Sequence, residues 1–407
     1  MMALLNCVLP ESMANLSPCT IWRLTTRIDR SPYEGQTFHR TMADETLSIE
    51  ELSQQLDSEG MIGCTQSFVS DLERGFSAVD DKHLTWLQEI KSNEWKGVLC
   101  FGMGGSAAGG DFLARMADAS GSKPFVVHRG YQLPSWWTSD WLVIATSHSG
   151  NTEETIAATE SALKQGATVV VIASGGVLAG LCELHKNCHL IPSIGGQPPR
   201  TAFGHLFSRQ LALMEHLGLL PQQADDEREA MLVRLEYACQ ENDFRNASGT
   251  PLLDLAMALR EHPIALLGPT ELEPALVRCK NQLNENSGRF ARIGVVPEMN
   301  HNEIVAWGGV SDDADPAREE QAVLILTWDG MQPRVRRRVD WMIEHTPTDF
   351  AWRIHGEGTS LLEVLLHHCI VMDWLTIALA LLHGKDPAAI RPIQALKGYL
   401  ADDASIE

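Results

Sequence analysis

The chain has 407 residues, 44% hydrophobic and 21% charged, with a formal net charge of -21. That composition suits a soluble globular protein with more than one core, and length alone favours two domains. The acidic balance disfavours nucleic acid and anionic membrane surfaces as partners, while an anionic small ligand would need aimed N–H groups and local cations.

Residues 1–41 carry Pro, Ser and Thr without periodicity and lack a basic segment followed by an apolar one, so they are read as a disordered extension and not as a signal peptide. An acidic amphipathic helix is expected to begin at Met42. Further on, "GVLCFGMGGSAAGGDFLARMA" predicts a buried strand over Val98–Phe101, a glycine-rich turn and a helix from Ser106. "WLVIATSHSGNTEETIAATESALKQG" repeats that order: a strand to Ala145, a polar turn, and a helix from Thr152 to Lys164. A third strand follows over Ala167–Ala173. Strands alternating with helices at this interval predict βαβ units and a parallel sheet covered by helices.

The pattern pauses in "PPRTAFGHLFSRQLALMEHLGLL", read as an amphipathic helix, and a charged helical stretch comes next. It resumes with strands at Ile264–Leu267 and Ala322–Thr327 and ends in helices, the last over "AIRPIQALKGYL". Residues 42–216 and 263–407 are thus two α/β domains, with 217–262 a helical linker. No run reaches the roughly 18 consecutive apolar residues of a membrane helix.

The nine cysteines are Cys7, Cys19, Cys64, Cys100, Cys182, Cys188, Cys239, Cys279 and Cys369. An odd number without C-x-x-C pairs suggests reduced thiols and a cytoplasmic location. "CELHKNCH" matches no zinc spacing and reads as a helix-to-strand edge, so no metal is expected.

Ligands of parallel sheets sit beyond the carboxyl ends of the strands, where "GMGGS" and "SHSGNT" both fall. There Gly104 and Gly105 let backbone approach a ligand, while Ser106, Ser147, Ser149 and Thr152 offer hydroxyls to a phosphate. The plainer alternative is that these hydroxyls only cap helices. A dinucleotide fingerprint fails at Ala107, and no GK[ST] completes a P-loop.

In order, "GMGGSAAGGD", "SHSGNTEET", "GGQPPRTAFGHLF", "NQLNENS", "PEMNHNEI" and "AIRPIQALKGYL" resemble the bifunctional phosphoglucose/phosphomannose isomerases of the sugar isomerase (SIS) superfamily, from about Met42 onward. The resemblance implies two SIS domains, each a flavodoxin-like parallel sheet sandwiched by helices, in a homodimer without metal or cofactor. Its substrates would be phosphorylated hexoses, glucose 6-phosphate and mannose 6-phosphate interconverting with fructose 6-phosphate through a cis-enediol. By the same resemblance Glu285 moves the proton between C2 and C1, His301 opens the sugar ring from the neighbouring subunit, and Lys397 assists at the sugar oxygens. Arg200 follows two stiffening prolines, and a fixed guanidinium suits a developing enediolate. Glu298 and Glu303 rank as rival acids. "SHSG" departs from the family by having His148 where Tyr is usual, which would add a titrating group near the phosphate. Ala388 and Ala389 in "DPAAI" leave room for the mannose epimer.

Two other functions fit SIS domains. A sugar-phosphate sensor would need an effector module, and no basic recognition helix is evident. The isomerase half of an amidotransferase would follow a cysteine-nucleophile domain, which is not seen.

Overall fold

A computed structural model describes residues 21–23, 47–246, 250–308, 310, 313–346 and 348–402. The described strands are β1 (Ile21–Arg23), β2 (Val98–Phe101), β3 (Phe125–His128), β4 (Leu142–Ser147), β5 (Val169–Ala173), β6 (Cys188–Pro192), β7 (Ile264–Pro269), β8 (Ala291–Val296), β9 (Ala322–Trp328) and β10 (Ala351–Gly356). They form two five-stranded sheets. The first runs β3-β2-β4-β5-β6, all parallel. Starting the count at β2, this is the flavodoxin-like order 2-1-3-4-5. The second runs β8-β7-β9-β10, again parallel, and closes with β1 antiparallel on β10. Every residue of β2, β4, β5 and β7 is buried, which is why their sequences are continuous apolar runs: both sheet faces are covered.

The helices are α1 (Ile49–Leu56), α2 (Met61–Gln66), α3 (Phe68–Phe76), α4 (Leu87–Lys91), α5 (Gly104–Ser120), α6 (Glu153–Lys164), α7 (Gly176–Leu184), α8 (Phe203–His216), α9 (Asp225–Asn242), α10 (Pro251–Leu259), α11 (Glu273–Gln282), α12 (Ile304–Trp307), α13 (Pro333–His345), α14 (Leu361–Leu382) and α15 (Arg391–Asp402). One continuous core joins the two domains, running from Phe112 on α5 through Phe203 on α8 to Leu276 on α11 and Trp374 on α14. Phe203 stacks on Phe207, and Phe112 meets both edge-on. Two smaller cores fill the outer faces of the sheets.

Three expectations change. Helix α8 has no solvent face from Phe203 to Glu215. Several of its polar side chains bond internally: Gln210 donates to the Thr146 hydroxyl at 2.7 Å, and Arg209 donates to the Pro192 and His205 carbonyls at 3.0 and 2.8 Å, whereas the His205 ring is buried without a partner. Amphipathic sequence here marks internal polar contacts and not a surface. The segment read as a linker, 217–262, is not free-standing either. Helices α9 and α10 pack on α14, and Leu252, Leu255, Ala256 and Leu259 of α10 are buried against the common core. Finally, Ile21–Arg23, assigned above to a disordered extension, is the edge strand β1; the rest of 1–41 lies outside the described residues.

Helix α14 is long and apolar enough to cross a membrane, yet all of that span is buried within the protein. Its apolar surface is consumed by α9, α10 and α11.

Candidate active site

Both polar turns lie at the carboxyl edge of the first sheet. Helix α5 begins at Gly104, so Gly104, Gly105 and Ser106 form its first turn and not a preceding loop. Gly104 has φ +50°, which favours glycine. A Cβ on Gly105 would meet Arg200 Cα and the Pro199 carbonyl at 3.4 Å, so the arginine loop lies directly against this turn. In the second turn, Ser147 Oγ accepts the Gly150 N–H at 3.2 Å and shares a 2.8 Å hydrogen bond with Thr152 Oγ1. Ser149 Oγ accepts the Asn151 N–H at 3.3 Å. The two turns are joined where Ser106 Oγ accepts the His148 N–H at 3.3 Å. Neither α5 nor α6 has a side-chain cap. Capping therefore does not account for these hydroxyls; in the first turn of α5 the Ser106 N–H turns back to the Met103 carbonyl at 3.1 Å, which leaves the Gly104 and Gly105 N–H groups for an anion.

Arg200 and Glu285 meet between the domains. Glu285 lies in a π-helical turn, Leu283–Ser287, that extends α11 and ends at Gly288 with φ +64°. Such turns widen a helix and frequently occur at functional positions. Arg200 Nη1 is 3.8 Å from Glu285 Oε2. Its Nε donates to Asn286 Oδ1 at 2.6 Å, and its Nη2 donates to the Pro387 carbonyl. Asn286 in turn donates to Thr376 Oγ1 on α14 at 2.9 Å. The guanidinium is thus held from three sides while the Glu285 carboxylate stays partly open.

Burial pushes the Glu285 carboxyl above the usual carboxylate range; the positive charges of Arg200 and Arg278 oppose the shift without cancelling it. Burial likewise lowers Arg200 from its ordinary value, opposed mainly by Glu285. Beneath them Arg278 makes two hydrogen bonds to Asp373, at 2.7 and 2.8 Å, and Gln282 adds a third at 2.8 Å. This buried fork pins α11 to α14, and the Arg278 guanidinium also lies 4.5 Å from the Phe203 ring centroid. Sequence reading missed Arg278, Gln282, Asp373, Thr376 and the carbonyl of Pro387. Only the i, i+4 spacing of Arg278 and Gln282 on one helix face hinted at a shared partner.

The structure does not bring His301 or Lys397 to this pair. His301 ends a short 3-10 turn after β8, is exposed, and has no side-chain hydrogen bond or ion pair among the described residues. Lys397 is exposed on α15. The rival acids are engaged elsewhere: Glu303 binds Arg292 at 2.6 Å and the Trp307 indole at 3.1 Å, and Glu298 accepts from Asn302. Ala388 is buried one residue beyond the carbonyl that holds Arg200, so "DPAAI" borders the site. In "CELHKNCH" the Cys182 and Cys188 sulfurs lie 3.1 Å apart, and His189 stacks on Trp86. Among the described residues no three His, Cys, Asp or Glu side chains are grouped as a metal site.

Residues 250–400 match the bacterial phospho-glucose isomerase C-terminal SIS domain, and residues 93–190 match the SIS domain. A bifunctional phosphoglucose/phosphomannose isomerase of Caldicellulosiruptor bescii is 32% identical, covering 77% of this chain and 92% of that protein. Another, from Aquifex aeolicus, is 31% identical, covering 76% and 92%. In fold the chain is similar to the C-terminal domain of a glucosamine-fructose-6-phosphate aminotransferase from Francisella tularensis, with a TM-score of 0.63 at 11% identity over 80% of this chain and 96% of that one. With a first sheet in flavodoxin-like order, a second largely parallel sheet beside it, an arginine–glutamate pair between them and relatives 31 and 32% identical over most of its length, the chain belongs to the bifunctional phosphoglucose/phosphomannose isomerase family.

Proposed function

We propose that the protein is a metal-independent aldose–ketose isomerase that interconverts glucose 6-phosphate and mannose 6-phosphate with fructose 6-phosphate. The observation that carries this reading is the Glu285–Arg200 pair: a carboxylate with a raised pKa beside a clamped cation. The substrate phosphate lies on the first turns of α5 and α6, held by N–H groups around Gly104 and Gly105 and by the hydroxyls of Ser106, Ser147, Ser149 and Thr152. Glu285 takes the C2 proton of the open-chain aldose. The electron pair left behind forms the C1–C2 double bond, and charge builds on the carbonyl oxygen, where Arg200 neutralises it. The C2 hydroxyl proton passes to O1, and Glu285 returns its proton to C1 as the C1–C2 double bond opens and the C2–O bond becomes the carbonyl, giving the ketose. In the reverse direction, return to one face of C2 gives glucose and to the other gives mannose, so one base serves both epimers.

His301 opens the ring from the partner subunit in this reading, with Lys397 assisting at the sugar oxygens, and the working form is a cytoplasmic homodimer. Support for the dimer comes from α15, whose Ile393, Leu396, Tyr399 and Leu400 are exposed at 39, 58, 68 and 50%. An apolar helix face left uncovered within one chain is what a second copy would bury. Support for a reducing compartment comes from seven described cysteines, all free thiols.

The test is an assay of EDTA-treated protein with fructose 6-phosphate, reading glucose 6-phosphate and mannose 6-phosphate separately. Both products are expected; neither appearing while the sugar phosphate still binds overturns the catalytic reading.

A further inference from the structure

We infer that His148 is a positioning residue that transmits the placement of the phosphate-binding turn to the guanidinium of Arg200. The inference rests on the site reading above and adds a residue to it. His148 is 8% exposed and sits inside the turn, with its backbone fixed on both sides. Its N–H donates to Ser106 Oγ on α5, and its carbonyl accepts from the Ser174 N–H at 3.1 Å and the Ser174 hydroxyl at 2.6 Å. Its side chain then leaves the turn altogether: Nε2 lies 3.0 Å from the Gln197 carbonyl.

A carbonyl can only accept, so Nε2 carries the proton and the ring is fixed in one tautomer, leaving Nδ1 buried without a partner. Gln197 begins the segment Gln197-Pro198-Pro199-Arg200. Two prolines fix φ at successive residues, so little slack separates the carbonyl that His148 holds from the arginine. Thr201 tightens the same bend, its N–H and hydroxyl both donating to the Pro198 carbonyl at 2.9 and 2.8 Å. One N–H therefore ties the loop that receives the phosphate to the loop that carries the enediolate's counter-charge. No ligand atom needs to touch the imidazole for it to matter.

A residue that only shaped the anion site would alter substrate and transition state alike and appear in KM. A residue that aims Arg200 alters charge stabilisation during proton transfer and appears in kcat. The experiment compares wild type with H148F, H148Q, R200K and the double variant H148F/R200K. Phenylalanine fills the ring's volume but removes the donor; glutamine places an N–H near the position of Nε2. H148F is expected to lose about tenfold to a hundredfold in kcat, the effect of orphaning one buried acceptor, with KM changed less than about threefold. H148Q regains most of that loss, and H148F adds little once R200K is present. Three results overturn the proposal: a loss confined to KM, H148Q as impaired as H148F while melting like wild type, or losses that multiply in the double variant. R200K with wild-type turnover would instead overturn the role given to Arg200.

Discussion

Arg200 reaches Glu285 from the far domain at 3.8 Å, close enough to polarise the carboxylate and too far for a tight hydrogen bond. The strong donors of the guanidinium go to Asn286 and Pro387. That division keeps the base available: a bidentate pair would hold Glu285 as an unreactive carboxylate. Replacing Glu285 with Gln keeps shape and hydrogen bonding but removes the base. Turnover should fall by about a hundredfold to ten-thousandfold, while binding of a phosphosugar measured by calorimetry stays near wild type. Substantial isomerase activity in this variant would assign the proton transfer to another group.

The pH dependence of kcat/KM follows from the same pair. Glu285 must be deprotonated to act, so the rate falls on the acid side as it takes up a proton, and its raised pKa places that limb above the ordinary carboxylate range. Arg200 favours the charged form. Removing the cation in R200Q should therefore move the acid limb to higher pH as well as lower the plateau. A limb unmoved by R200Q would mean that the two charges do not interact during turnover.

The Arg278–Asp373 fork predicts a stability effect separate from chemistry. Both side chains are buried, and removing one partner leaves the other charge uncompensated. D373A should destabilise the protein by about 3–5 kcal/mol, read from urea unfolding, whereas replacing both residues with apolar ones of similar volume should recover much of that loss. Recovery would show that the fork's energetic role is mutual neutralisation.

His205 provides a second pH effect, on folding. It is fully buried with both ring nitrogens unpartnered, and burial holds its pKa down to about 3, with Arg209 and His148 adding to the shift. Between the ordinary histidine value and that folded value, the unfolded chain binds a proton that the native state refuses. Stability contributed by neutral His205 is thus present above the ordinary pKa and drains away as pH falls through this window, by roughly 1.4 kcal/mol per pH unit. H205L should flatten the acid limb of the stability profile by about that slope. An unchanged slope would place the acid sensitivity in other groups.

The parallel sheets and their ligand edge were legible because β2, β4 and β5 are apolar runs followed by turn residues, a pattern that local sequence carries. Strands β3, "FVVH", β8, "ARIGVV", and β10, "AWRIHG", were not predicted, because polar or half-buried residues interrupt each of them. Glu285 and Arg200 could be named from motifs, but not their contact, since it depends on how two domains close over α5 and α8. Asn286, Thr376 and Asp373 act through tertiary hydrogen bonds whose partners are distant in the chain. No local spacing encodes such pairs. His301 could be named from its motif as well, yet within one chain it has no route to Glu285 that the structure shows.

Subunit exchange decides whether His301 serves the neighbouring site. E285Q lacks the base but keeps the histidine; H301A lacks the histidine but keeps the base. In a homodimer built by a two-fold axis, each site that borrows across the interface combines Glu285 of one chain with His301 of the other. Mixing the two inactive variants under exchanging conditions gives about half heterodimers, each with one intact site and one doubly defective site. Activity should then recover to about a quarter of wild type. If each chain used its own His301, every site in the heterodimer would carry one defect and mixing would restore nothing. The same preparations distinguish ring opening from proton transfer, because H301A should process an open-chain substrate analogue far better than cyclic glucose 6-phosphate, whereas E285Q should fail on both.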